Sequence, residues 1–163
     1  MNSEQALNIA KLQDASRKDA KRWLRRVYYQ TLRVEAEQRA LKIIEDRVNN
    51  AVGKMETDGA SIDRQQSTRR REDTLLDYAQ KNKDIEEEFI KLARLKHETR
   101  VVISKLQDQR LETIAEHRYI DCLEWRDVEK IDNYSHSHLM RLQSEILTRI
   151  AAILYPIGGS KND

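Results

Sequence analysis

The chain has 163 residues, 39% hydrophobic and 36% charged, with 30 Lys/Arg against 28 Asp/Glu and a formal net charge of +2. That length allows one or two small domains, and so thin an apolar fraction suits long amphipathic helices better than a thick globular core. The single cysteine, Cys122, excludes an intramolecular disulfide and fits a reducing cytoplasm, and no apolar run approaches the ~18 residues of a membrane span.

Residues Met1 to Gln13 lack the basic-then-apolar layout of a signal peptide. From about Ser16 to Met55 the pattern is helical. Val27, Val34, Leu41, Val48 and Met55 recur every seven residues, and Ile44 and Ala51 add the offset of a heptad seam. Gln30 and Glu37 occupy the offset positions of the first half and weaken it there, where Trp23, Leu24 and Tyr28 are available to pack instead. The same stretch holds the strongest basic patch of the chain. Between Ala15 and Arg33, Arg17, Lys18, Lys21, Arg22, Arg25, Arg26 and Arg33 stand against one acid, Asp19, with aromatic residues interleaved. Lys18, Lys21, Arg22, Arg25 and Arg26 are therefore candidates for auxiliary phosphate contacts. A solvated face paired with acids such as Glu86, Glu87 and Glu88 is the alternative.

Thr57 to Gln66 is mostly polar, bears Gly59 and is long enough to reverse the chain. A second helical segment follows, with Ser67 or Thr68 as its N-cap. Its seam is expected through Leu75, Tyr78, Ile85, Phe89 and Leu92, resuming at Val102, Ile103 and Leu106, with Asn82, Lys96 and Thr99 interrupting it. Each arm would extend roughly 55–60 Å. Two arrangements are open: an antiparallel hairpin within one chain, or pairing between protomers. Arg69-Arg70-Arg71, with Arg64 nearby, opens this arm against the helix dipole, which Glu72 and Asp73 offset in part.

The last third changes character. Leu111, Ile114, Ala115, Tyr119 and Ile120 form a helical stripe up to a break at Asp121-Cys122. Trp125, Val128 and Ile131 follow three residues apart, then the polar turn Asp132-Asn133-Tyr134-Ser135. Leu139, Leu142, Ile146, Leu147 and Ile150 give one face of a final helix. Nothing from Ala60 to Tyr155 is Gly or Pro. An all-α fold is expected: a long helical hairpin or coiled-coil region over 1–106, then a trihelical helix-turn-helix over 107–163. Such a unit is the minimum that holds a recognition helix in a major groove. Residues 107–163 carry seven Lys/Arg against ten Asp/Glu, so phosphate neutralisation would need help from the N-terminal patch.

Other chemistries find little support. His136 and His138, with Cys122 and His117, make a poor zinc set, because alternate residues of a helix point in different directions. No phosphate-cradling glycine loop, Ser/His/Asp set or nucleophile elbow occurs. Neither an enzyme nor a cofactor is expected.

Several runs then carry a resemblance: Arg118-Tyr119-Ile120-Asp121, Leu123-Glu124-Trp125-Arg126-Asp127-Val128, Tyr134-Ser135, and Leu139, Arg141, Leu142 and Ile146-Leu147. The segment Leu106 to Leu154 resembles region 4 of the primary sigma factors. The whole chain resembles the RinA/ArpU-like late transcription regulators of phages of Gram-positive bacteria, which place a long helical region before a sigma-like end. The resemblance implies an activator that binds double-stranded DNA in the bacterial host cytoplasm. It also implies a homo-oligomer, or contact with host RNA polymerase, through the arms. It brings Ser135, His136, Ser137, Met140, Arg141 and Ser144 to the DNA, with Arg141 the candidate for a bidentate guanine contact and Ser135 also suited to cap the helix. Glu129 and Asp132 stand where the family usually has Ala and Leu, and Ile131 is expected to take over their packing. The alternative function is a polymerase-binding or structural helical protein that does not touch DNA.

Overall fold

The computed structural model describes residues 3–53 and 64–156. Among these the chain is all-helical, with no strand: α1 (Ser3–Leu24), α2 (Arg26–Gly53), α3 (Arg64–Ile103), a 3-10 turn (Ser104–Leu106), α4 (Gln109–Tyr119), α5 (Trp125–Asp132) and α6 (His136–Leu154). Both arms start earlier than expected. The first is helical from Ser3 rather than Ser16, and α3 begins at Arg64, so Ser67 and Thr68 lie inside it rather than at its start. Neither stretch contains a Gly or Pro that would stop the helix sooner. Most of the expected reversal, along with Met55, lies outside the described residues.

The first arm is jointed at Arg25. The backbone bonds Arg25 N–H to the Lys21 carbonyl and Tyr29 N–H to the Arg25 carbonyl, both 3.1 Å, still follow the helical ladder. At the joint Arg26 donates through Nε to the Trp23 carbonyl at 3.1 Å and lays its guanidinium over the indole, 4.3 Å from the ring centre.

Packing gathers residues 1–29 with 94–163 into one compact unit and 30–93 into another. This differs from the division expected at 106. Ala20 and Leu24 of α1, with Val102, Ile103 and Leu106, are buried in the same cluster as the apolar faces of α4, α5 and α6. Leu24, Ile103, Leu111, Ile114, Ile120, Val128, Leu139, Ile146 and Ile150 are at most 1% exposed. Each such side chain contributes about 1.5–3 kcal/mol by leaving water. The most extensive interhelical packing in this unit joins α1 to α6, where the small side chains Ala20 and Ala151 are both buried and permit close approach.

In the 30–93 unit, α2 and α3 run antiparallel. Gln30 Nε2 donates to the Glu88 carbonyl at 3.1 Å and to its Oε2 at 2.6 Å, while Glu37, seven residues on, pairs with Lys81, seven residues back. Arg71, Thr74, Tyr78, Lys81, Ile85, Glu88 and Leu92 of α3 are buried or half-buried at heptad spacing, with Asn82 and Asp84 half-buried beside them. Leu75 (53% exposed) and Phe89 (44%) flank that seam rather than forming it, contrary to expectation. Val34 is buried opposite, and Leu41, Ile44 and Val48 are half-buried.

Candidate nucleic-acid interface

The three turns around α4, α5 and α6 share a device. Gln107 (φ 55°), Cys122 (φ 60°) and Asn133 (φ 57°) each take the left-handed conformation, and none is glycine. After Gln107, Asp108 caps α4 by accepting from the amides of Arg110 (3.0 Å) and Leu111 (3.2 Å). After Asn133, Ser135 caps α6, its Oγ accepting from the His138 amide at 3.4 Å. These constraints fix the angle at which α6 leaves α5. The Tyr134 ring rests on the His138 ring, with centroids 4.9 Å apart.

On α6, Leu139, Leu142, Ile146, Leu147, Ile150 and Ala151 face the core. Of the residues expected at DNA, Ser135, His136, Ser137 and Arg141 are exposed. Met140 is half-buried and packs against the core cluster. Ser144 is also half-buried, its hydroxyl accepting from Arg17 Nη2 of α1 at 2.6 Å. The six therefore divide. Ser135 is occupied as a cap, Met140 and Ser144 turn toward the packed side, and His136, Ser137 and Arg141 share the open side of the first two turns.

The acids around this face are engaged. Glu129 accepts from or pairs with His136 Nδ1 at 2.5 Å, and Glu145 holds Arg149 Nη2 at 2.5 Å. Among the described residues Arg141 has no carboxylate partner; its nearest polar contact is His138 Nδ1 at 3.5 Å. The net negative charge of this region thus does not fall on Arg141.

Glu129 and Asp132 each bridge α5 to a neighbouring helix. Asp132, at the end of α5, lies 3.1 Å from His117 Nδ1 of α4, and Glu129 bridges α5 to α6 through His136. Ile131 does not take over the packing: it is 57% exposed, while Val128 is fully buried. With polar clamps to both neighbours, α5 needs no second apolar anchor.

Three of the five candidate phosphate-binding residues of the N-terminal basic patch are committed to ion pairs. Lys18 binds Asp14 (2.9 Å), holding that carboxyl below its ordinary pKa chiefly through their hydrogen bond. Arg22 binds Asp19 (3.1 Å) and Arg26 binds Glu98 (3.4 Å). Lys21 and Arg25 are exposed and form no ion pair among the described residues. Two further arginines, Arg118 and Arg126, line one pocket together with Arg25. Sequence spacing does not reveal them, because they lie on either side of the 121–124 turn and no helical period relates them.

Among the described residues no group of three His, Cys, Asp or Glu side chains could hold a metal, and no helix is long and apolar enough to cross a membrane. In comparisons with known proteins the chain matches no family, no curated protein and no solved structure.

Proposed function

We propose that this chain is a DNA-binding transcription regulator, of the kind that activates late genes in phages and acts in the bacterial host cytoplasm. In this reading α4, α5 and α6 form a trihelical helix-turn-helix like sigma-factor region 4, and α6 is the recognition helix. The antiparallel α2 and α3 form the helical hairpin of a RinA/ArpU-like arm. The observation that carries it is the exposure of His136, Ser137 and Arg141 on the first two turns of α6, above a face buried at Leu139 and Leu142. A helix held by its apolar side, with a free arginine near its N-terminus, suits entry into a major groove. Arg141 then reads guanine through two hydrogen bonds. The reading assigns binding and no catalytic step.

Selection of bound sites from random duplex DNA tests this. Enrichment of one short motif, bound with steep salt dependence, is the expected result. Recovery of unselected sequence would reject it.

A second reading is favoured by the exposed Leu75, Leu76, Phe89 and Ile90 of α3. These apolar side chains would meet host RNA polymerase or a second copy of the chain, with no direct DNA contact. Capture of purified polymerase with no salt-dependent duplex binding would establish it.

A further inference from the structure

A pocket of about 470 Å³ opens between the end of α1, the α4–α5 turn and the first turn of α5. Three guanidinium groups line it, from Arg25, Arg118 and Arg126, with Glu124 the one carboxylate. Arg25 and Arg126 are exposed and have no carboxylate partner among the described residues. Arg118 is fixed from behind, donating to the Leu123 carbonyl at 2.5 Å and lying 5.3 Å from the centre of the Trp125 ring. Leu123 N–H is itself bonded to the His117 carbonyl at 3.0 Å, so Leu123 is held through both its amide and its carbonyl. Tyr119 forms part of the wall, and its hydroxyl accepts from Gln143 of α6 at 3.4 Å, tying the pocket to the helix that bears Arg141.

Three guanidinium groups from separate elements around one cavity, against a single carboxylate, leave its field positive and suited to an anion. Planar guanidinium forks match the oxygens of a phosphate group, and the partial positive end of α5 adds to the same field. We infer that Arg25, Arg118 and Arg126 form a binding pocket for a phosphate group. Two sources share that chemistry: the backbone of a nucleic acid lying along α6, and a free phosphate or phosphate monoester. The first rests on the function proposed above; the second does not.

The test uses the full chain and two probes. Inorganic phosphate is titrated against ¹H–¹⁵N spectra at constant ionic strength, with chloride as the reference salt. Saturable shifts confined to residues around 118–126 and lost in Arg25→Ala/Arg126→Ala are expected. Shifts equal to those from chloride would overturn the pocket. Duplex DNA is then titrated over a range of salt. If the backbone occupies the pocket, the double variant lowers the log–log salt slope by about one, and Arg100→Ala, an exposed arginine outside the pocket, does not. A saturable phosphate response with an unchanged slope supports the free-ligand source. The same response in a chain that binds no duplex leaves the pocket standing and defeats the regulator reading. Circular dichroism of the double variant confirms that both arms compare folded proteins.

Discussion

His117 Nδ1, in the last turn of α4, and Asp132, at the end of α5, lie 3.1 Å apart and join the two helices. Their side chains are only 24% and 12% exposed, so water competes weakly for the pair. It fixes α5 to α4 just before the turn that launches α6.

Removing one partner should therefore matter. Asp132→Ala is expected to cost roughly 1.5–3 kcal/mol in urea unfolding, the range for a hydrogen bond to a charged group. In a double-mutant cycle with His117→Ala, the second substitution should cost much less in the first background. Additive losses would show that the two residues do not interact.

Val128 and Ile131 sit one turn apart on α5, yet one is buried and the other 57% exposed. Val128→Ala should destabilise by about 2 kcal/mol through lost burial and a residual cavity, and Ile131→Ala by less than about 0.5 kcal/mol. Thermal unfolding of both variants checks the order. A larger loss at Ile131 would mean that α5 is rotated about its axis.

Much of this fold is legible in the sequence because its signals are periodic. The stripes through Leu111–Ile120 and Leu139–Ile150 lie in the core, and Ser135 caps α6. What escaped depends on partners remote in sequence. Gln30 and Glu37 read as defects in a seam, but Glu88 and Lys81 satisfy them across it. Thr99 read as an interruption, but it is fully buried with its hydroxyl bonded to the Leu95 carbonyl. Ile131 followed the three-residue rule, and the carboxylates beside it made that rule unnecessary. On α6, the exposure of Arg141 follows from its place after the turn. The withdrawal of Ser144 does not, because Arg17, its partner, is 127 residues away.

The left-handed residues within the turns are not legible for another reason: none of Gln107, Cys122 and Asn133 is glycine. Gln107 pays a steric penalty of about 1 kcal/mol for its left-handed backbone. Gln107→Gly should relieve it, less the extra entropy glycine loses on folding, for a net gain of some tenths of a kcal/mol. A raised urea midpoint is the expected outcome, and a clear fall would contradict the assigned backbone.

The α2–α3 pairing should weaken in acid. Glu88 accepts from Lys91 and from Gln30, and these bonds, the Lys91 bond foremost, lower its pKa in the folded chain. A depressed carboxyl contributes its stability fully above the ordinary carboxylate range and loses it as the pH falls through the folded value. Between pH 6 and pH 3, Glu88→Gln should thus lose less helix stability than the native chain, followed by circular dichroism in urea. Equal losses would remove Glu88 from the acid response.

The central claim is that the open side of α6 reads base sequence, and Arg141 is where it is most exposed to test. On a duplex site obtained by selection, binding of the native chain and of Arg141→Ala should be measured against single base-pair replacements. The account predicts that the variant loses about 1–3 kcal/mol of discrimination at one G·C pair and keeps its preferences elsewhere. An unchanged preference at every position would contradict it.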